Sequence, residues 1–450
     1  MALNLGSLIT EEQALSAQEK PQPPSVHLKF FVTPEEIGRQ CRFAMEKAEK
    51  RYRKLAKMQD AKRTFENTPA FFQDVESDLG DESRSLTFLK YVSTDKEVRE
   101  ASHECETMLE QFMVEIYTRE DLYAALKGYA AKGEKLEGED KKLLEKILLD
   151  YRRNGLELEA EKRDKINALK KRLVELEADF GKNLIEVKDY MAVTREELEG
   201  LPEDLIERLE PLEGGKFKVT LDYPDYLPFM RNAKSADARR RLQKKFHNRA
   251  ADRNVKLLEE AIKLRREIAE ILGYPTHAHY VLEDRMAKDP ARVQEFLERL
   301  RSRLNEKAEE ELKELSSLKK NERGPRADQE IRLWDIAYYR NLLKKTKYDL
   351  DEEKLKEYFP LELVTQGMLS IYQRVLGLDF REVKSPYTWH PDVQLFEVRD
   401  AATGELIGYF YMDLFPREGK YKHAAAFTLV PGRRLEDGSY QKPVSAIVAN

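Results

Sequence analysis

The chain has 450 residues, 41% of them hydrophobic and 36% charged, a length and composition typical of a helix-rich globular protein with two or three domains. Its 79 basic and 84 acidic residues give a formal net charge of -5, which argues against nucleic acid as a partner because phosphate binding needs a basic excess. The sequence shows neither a secretory signal nor an apolar stretch long enough to span a membrane, so we expect a cytoplasmic protein with no membrane partner.

Residues 1–28 are polar and contain prolines, and they predict a disordered lead-in. The first helix is expected after Thr33, with Pro34 at its first position and Glu36 three residues after the threonine, which is the pattern of a capping box. Further helical patterns follow, so we expect residues 29–155 to form the N-terminal helical part of a first lobe.

The two cysteines, Cys41 and Cys105, lie far apart in the sequence and in separate predicted helices. Disulfides are rare in cytosolic proteins because that compartment keeps thiols reduced. We therefore expect the two side chains to be free thiols.

A heptad seam is the main feature of residues 156–350, which we predict to be a helical second lobe. The seam could form a dimerising coiled coil, but it is too short to sustain one and favours an internal helical hairpin. Its apolar residues follow one another at steps of three and four positions: Ile166, Leu169, Leu173, Leu176 and Phe180.

The last hundred residues, 351–450, are rich in strand patterns after about Tyr358. Two runs flank a Thr403–Gly404 turn and predict a hairpin. Two further strands follow, the second within the final stretch "KPVSAIVAN", Lys442–Asn450. The sequence therefore predicts a mainly α fold with a small β-sheet near the C-terminus.

No residue pattern assigns a catalytic or metal-binding role. The stretch "HECET" begins at His103 but departs from the zinc motif H-E-x-x-H, because Thr107 stands where the second histidine belongs. His277 and His279 have no third ligand nearby in the sequence. Motifs of serine hydrolases, P-loops and dinucleotide-binding folds do not occur either.

Three stretches carry a resemblance to a known family: "RLWDIAYYRN", "KEYFPLELVTQGMLSIYQRVLGLDF" and "FYMDLFPREGKYKHAAAF". Their order and spacing are similar to those of the thimet oligopeptidase and neurolysin family of zinc metallopeptidases. The resemblance implies a helical clamshell whose deep channel admits short peptides and excludes folded proteins. It implies a cytoplasmic zinc metallo-endopeptidase, an oligopeptidase, with short peptides as partners and Zn²⁺ as cofactor.

The same resemblance implies that the chain is truncated at its C-terminus. The family's zinc motif, HEFGH, follows a strand similar to "SAIVAN", so we expect residues 351–450 to be an incomplete start of the catalytic region. The Zn²⁺ ligands would then be absent and the chain alone inactive, with Val444, Ile447 and Val448 left uncovered. The alternatives are a non-catalytic peptide-binding short form, or half of a split peptidase whose C-terminal segment acts in trans. A purely helical interaction protein does not suit the strand-rich end.

The resemblance also implies a substrate site in the stretch "YKHAAAF". In zinc peptidases of this kind, the strand beside the active-site helix pairs with the substrate backbone, and small side chains let a peptide approach. The predicted substrate-binding residues are Tyr421, His423, Ala424 and Ala425. The alternative is a plain core strand whose alanines serve packing. Lys422 stands where close relatives often have glycine, which puts the flexibility of this segment in doubt.

Overall fold

A computed structural model of the chain describes residues 23–326, 328–384, 386–435 and 437–450. Most of the predicted lead-in, residues 1–22, lies outside the described part. Leu28, at the end of that lead-in, is buried in a hydrophobic core. No helix in the described part is both long and apolar enough to cross a membrane.

Helices dominate the described residues and strands gather near the end, so the expected mainly α fold is confirmed. The longer helices are α1 (Pro34–Ala56), α2 (Phe71–Phe88), α3 (Lys96–Ile116), α4 (Glu120–Ala130), α5 (Gly138–Arg153), α6 (Ala160–Ile185), α7 (Glu203–Arg208), α8 (Tyr223–Asn232), α9 (Ala236–His247), α10 (Ala251–Ile271), α11 (His277–Leu282), α12 (Pro290–Arg323), α13 (Leu333–Lys347), α14 (Glu352–Lys356) and α15 (Leu361–Leu376). Shorter helical turns are Asp60–Lys62, Glu66–Ala70, Leu89–Tyr91 and Glu196–Leu198. The strands are β1 (Tyr190–Val193), β2 (Glu210–Leu212), β3 (Lys216–Thr220), β4 (Leu378–Glu382), β5 (Gln394–Asp400), β6 (Leu406–Asp413), β7 (Ala425–Val430), β8 (Arg433–Arg434), β9 (Tyr440–Gln441) and β10 (Val444–Val448).

Helix α1 begins as the sequence predicts. The Thr33 hydroxyl accepts a hydrogen bond from the Glu36 backbone N–H (3.3 Å), and the Glu36 carboxylate accepts one from the Thr33 N–H (3.0 Å). Pro34 occupies the first helical position, where its missing N–H costs nothing. The predicted capping box is confirmed, and it satisfies two backbone donors at the helix start.

The first core joins residues from both ends of the described chain. It combines apolar side chains of α1, α2 and α3 with those of the C-terminal sheet. At this junction the ring of Phe88 meets Trp389 and Phe427 edge-on, with centroids 4.9 and 5.2 Å away. Buried aromatic contacts of this kind contribute strongly to packing. The N-terminal helices therefore cover one face of the sheet.

The C-terminal sheet has five strands in the order β4-β5-β6-β10-β7. The predicted hairpin is confirmed as β5 and β6, which pair antiparallel. Strand β10 lies inside the sheet, parallel to β6 and antiparallel to β7. Val444 and Val448 are 0% exposed, so the prediction that they lack cover is wrong: α1–α3 supply that cover. Ile447, on the opposite face, is 38% exposed, so for this residue the prediction is confirmed.

Cys41 on α1 and Cys105 on α3 form a disulfide, with their Cα atoms 5.8 Å apart. The prediction of two free thiols is therefore wrong. The two helices pack side by side in the first core, and a separation of 64 residues along the chain says nothing about that proximity. Both side chains are buried, so the bond crosslinks the interior of the core.

The second core lies between residues 191 and 246 and combines the β1-β3-β2 sheet with α7, α8 and α9. A buried ion pair anchors it to α13: Arg239 Nη2 lies 2.7 Å from Asp335 Oδ1. Lys319 of α12 donates to the other oxygen of the same carboxylate at 2.8 Å. Two cations thus share one carboxylate, and α9, α12 and α13 are held together at that point.

Helix α6 packs along α10 and α3, which is the internal packing that its heptad seam predicts. Ile166 and Leu176 of the seam are buried. On the outer side, Arg172 binds Glu260 of α10 through Nε at 2.7 Å. The predicted domain boundaries at residues 155 and 350 stay predictions.

Helix α15 has no buried residue. It is also strongly apolar, and with the residues before it lines a groove of about 520 Å³. Most exposed apolar side chains of this region lie on α15 itself: Leu361, Leu363, Val364, Ile371, Tyr372, Val375 and Leu376. Most of the uncovered apolar surface in the last hundred residues is therefore on this helix, and on β10 it is confined to Ile447.

Candidate functional site

Two adjoining chambers form a cleft: the larger lies between the first core and the second core, and the smaller lies between helices α3 and α6. The chambers have volumes of about 810 and 390 Å³. Arg99, Ile185 and Glu186 line both chambers and mark their junction. Cavities of this size are typical of binding sites, so the cleft is the candidate functional site.

The two chambers differ in charge. The larger, called here the basic chamber, is lined by five lysines and two arginines against four carboxylates. The smaller, called the acidic chamber, is lined by five carboxylates against three lysine or arginine side chains. The five carboxylates of the acidic chamber are Glu100, Glu106, Glu110, Glu177 and Glu186.

One wall of the cleft is built on a buried carboxylate, Asp413, at the end of β6. Arg417 donates to both of its oxygens (2.7 and 2.6 Å), and Lys420 and Trp389 donate to one each (both 2.8 Å). Burial raises the pKa of Asp413, but these hydrogen bonds outweigh burial and hold the pKa below its usual value. The charged group therefore fixes the following segment, residues 416–423, called here the strap.

The strap reaches across the cleft to the second core's side. Glu418 pairs with Lys188 (2.6 Å). Lys422 pairs with Asp222 (2.7 Å) and also donates to the Val187 carbonyl (3.3 Å). From the sequence, Lys422 is only a departure from relatives, and no pattern points to Asp222. The structure gives the lysine a bridging role between the two sides of the cleft.

The four predicted substrate-binding residues lie on the strap and just after it. Tyr421 lines the acidic chamber. His423 is exposed and its ring meets that of Tyr223, on the opposite side, with centroids 5.5 Å apart. Ala424 is exposed, and Ala425 begins β7. Only Tyr421 among them lines a chamber, and substrate binding by all four stays a prediction.

Strand β7 lies at one end of the C-terminal sheet and pairs, among the described strands, with β10 alone. Ala426 and Thr428 are exposed on it, whereas Leu429 is buried. An edge strand has free backbone N–H and C=O groups, and these are the groups that an added peptide strand pairs with. The edge of β7 is therefore competent to bind an extended peptide.

Over the described ranges, no three His, Cys, Asp or Glu side chains gather as a metal site would require. His103 lines the acidic chamber with Asp179 at 3.9 Å. Burial lowers the pKa of His103, and the nearby Lys90 and Lys182 lower it further. His103 is thus a neutral side chain among cations and carboxylates at pH 7.

The chain is similar to known peptidases along most of its length. The family described as "Peptidase family M3" matches residues 229–450. Thimet-like oligopeptidase of Dictyostelium discoideum is 34% identical over 439 residues, covering 94% of this chain and 65% of the relative. Saccharolysin of Saccharomyces cerevisiae is 33% identical over 449 residues, 96% of this chain and 63% of the relative.

Oligopeptidase A of Escherichia coli is 31% identical over 415 residues, which are 87% of this chain and 60% of the relative. The chain therefore spans slightly under two thirds of the length of these three relatives.

Proposed function

Because the chain belongs to peptidase family M3, we propose that the protein to which these residues contribute is a zinc metallo-endopeptidase that hydrolyses short peptides. The relatives that it resembles are named as oligopeptidases. The resemblance stated from the three sequence stretches is confirmed, and the activity, the substrate class and the metal are the proposal.

The observation that carries this proposal is the cleft between the two cores. Its two chambers adjoin, and together they offer room for a short extended chain. The strap lining it leads directly into the edge strand β7. We expect a short peptide to enter this cavity and a folded domain to be excluded.

We propose that the substrate backbone pairs with the free edge of β7, with Tyr421, His423, Ala424 and Ala425 beside it. Small side chains at the start of the strand leave room for a second backbone to approach. The packing alternative accounts for the inner face of the strand, where Phe427 contacts Phe88. It does not account for the exposed alanines.

The residues present do not fit a zinc site. Zinc in a catalytic site needs three protein ligands and an open position for water. The described residues bring no such set together, and His103 lies among both cations (Lys90, Lys182) and carboxylates (Glu106, Asp179) without a second histidine. We propose that the ligands for Zn²⁺ lie outside this chain, and we assign no hydrolytic step to the residues in it.

Two alternatives remain within this proposal. Both chambers are formed by residues of this chain, and this favours peptide binding by the chain itself, without cleavage. A split peptidase, in which a separate C-terminal segment supplies the metal site in trans, agrees with the same geometry.

We propose the cytoplasm as location. Relatives include one named as a probable cytosolic oligopeptidase A and one named as organellar. The Cys41–Cys105 disulfide argues against a reducing compartment such as the cytoplasm. The redox state of these two cysteines in the cell therefore tests the proposed location.

The activity is tested with an internally quenched peptide. The chain is assayed alone, and again after fusion to the C-terminal third of the Dictyostelium relative, each with added Zn²⁺ and with a chelator. We expect no cleavage by the chain alone and chelator-sensitive cleavage by the fusion. A fusion that folds but does not cleave would contradict the peptidase proposal.

Zinc content is measured on the same samples. Stoichiometric Zn²⁺ and peptide cleavage by the chain alone would contradict the placement of the metal ligands outside it.

A further inference from the structure

Arg99 stands at the junction of the two chambers without a carboxylate partner among the described residues. Other cations of the basic chamber are paired: Lys188 with Glu418, and Lys422 with Asp222. Arg99 instead donates through Nη1 to two backbone carbonyls and forms no ion pair in the described part of the chain. A guanidinium that faces a cavity unpaired is a candidate for binding an anion.

The guanidinium of Arg99 is held in place. Its Nη1 donates to the carbonyls of Ser93 (3.0 Å) and Thr94 (3.1 Å), just before α3 begins. The guanidinium lies close to the backbone of Gly419 on the strap, where an added Cβ would meet it and one of the two would have to move. Gly419 also has a φ of +77°, which favours glycine. The strap therefore approaches Arg99 closely and leaves it little freedom.

One edge of the guanidinium has no hydrogen-bond acceptor among the described residues. Nε and Nη2 have no acceptor among the described residues, and these two N–H groups point the same way. Two parallel donors of this kind match the two oxygens of a carboxylate and form a bidentate pair. A lysine at this position would offer a point charge without that geometry.

We propose that Arg99 is a specificity-determining residue that binds a carboxylate of the peptide, through Nε and Nη2. The carboxylate is the C-terminal group or an acidic side chain. The inference rests on the proposed peptide-binding function of the cleft and adds the part of the substrate that the cleft recognises.

The charge of the chambers supports this position. Beyond the junction, where Glu186 lies beside Arg99, the acidic chamber carries four further carboxylates, which repel an incoming anion. A peptide carboxylate that enters through the basic chamber therefore stops at the junction.

Glu418 is a carboxylate of the basic chamber that interacts electrostatically with Arg99. Lys188 accounts for most of the lowering of the Glu418 pKa, and Arg99 is the smallest contributor. Glu418 thus forms its ion pair with Lys188, and Arg99 remains available to bind the carboxylate of a ligand.

The test is fluorescence anisotropy of the 450-residue chain with labelled octapeptides. One pair of probes differs only in a free or amidated C-terminus, and a second, amidated pair differs only in one internal Glu or Gln. We expect the charged member of at least one pair to bind about tenfold tighter, since charge-assisted bidentate hydrogen bonds are strong. The pair that shows the difference identifies the source of the carboxylate.

Arg99→Gln is expected to bring the charged probe down to the affinity of its uncharged counterpart. Arg99→Lys keeps the charge and perturbs folding less. In this variant the charged probe should still bind about threefold tighter than its uncharged counterpart. The control is Arg381→Gln, which removes the same charge from an exposed pair with Asp379 on β4. That control should keep the full tenfold ratio.

Loss of affinity for both members of a pair in the Arg99 variants would show a structural role for Arg99 and overturn the inference, while leaving the peptide cleft in place. Equal binding of all charged and uncharged probes by the unsubstituted chain would also overturn the inference and leave the peptide cleft in place. If no probe binds the unsubstituted chain, the inference and the peptide-binding cleft are both overturned.

Discussion

Replacing Asp413 by asparagine should destabilise the first core strongly. The side chain is 0% exposed and accepts hydrogen bonds from Arg417, Lys420 and Trp389. Asparagine has nearly the same shape but no charge, so two buried or nearly buried cations lose their counterion. Removing one partner of a buried ion pair costs about 3–5 kcal/mol, and we expect the free energy of unfolding to fall by about that amount.

Urea unfolding followed by the fluorescence of Trp389, which touches Asp413, measures this loss. The chain has two tryptophans, so the experiment uses a Trp334→Phe background. Asp379→Asn is the matched control, because Asp379 pairs with Arg381 (2.8 Å) on the same sheet but at the surface. That exposed pair is worth less than about 1 kcal/mol.

The pH dependence gives a second, independent measure. The pKa of Asp413 is lowered in the folded protein, so its stabilising contribution is fully present above the ordinary aspartate pKa of about 3.9. The contribution is lost as the pH falls through the lower folded-state pKa. The difference between the wild-type chain and D413N should be constant above about pH 5 and vanish in acid. A loss below about 1 kcal/mol in D413N at pH 7 would refute the reasoning.

Two further predictions concern the strap and the cysteines. Lys422→Gln removes the bridge to Asp222, so the amide hydrogens of residues 420–424 should exchange faster, while the free energy of unfolding falls by less than about 1 kcal/mol because the pair is partly exposed. The control Lys442→Gln removes a pair with Glu405 elsewhere and should leave that exchange unchanged, so equal exchange rates in the two variants would contradict the bridging role. Reducing the Cys41–Cys105 disulfide should lower the free energy of unfolding by about 4 kcal/mol, the loop-closure value for a separation of 64 residues. The unreduced protein should be two hydrogens lighter than the reduced protein, and alkylation of both cysteines in the unfolded, unreduced chain would show that the bond is absent.

Local features of the fold were predictable from the sequence. Thr33 and Glu36 identify the start of α1 because the capping box involves only neighbouring residues. The Thr403–Gly404 turn identifies the β5–β6 hairpin because its two strands adjoin in the sequence. The seam through Ile166 and Leu176 likewise shows which face of α6 is buried.

Long-range features were not predictable, because a periodic pattern shows that a face is buried and not what buries it. The same limit produced both errors, the free thiols of Cys41 and Cys105 and the missing cover of Val444. In the cleft, the family resemblance pointed to Tyr421 and its neighbours. It could not show that Lys422 meets Asp222, since their contact exists only once the two cores face each other.

The composition of the first core has a consequence for how the chain folds during synthesis. The last buried residue that its helices contribute is Cys105 of α3, whereas the first buried residue from the C-terminal part is Val393, just before β5. At about 5–20 residues per second, a ribosome needs roughly 15–60 s to add the roughly 290 residues between them. During that interval the apolar faces of α1–α3 have no sheet to pack on. The nascent chain is therefore exposed to aggregation in this period, and a chaperone that binds apolar helices would act before β10 emerges.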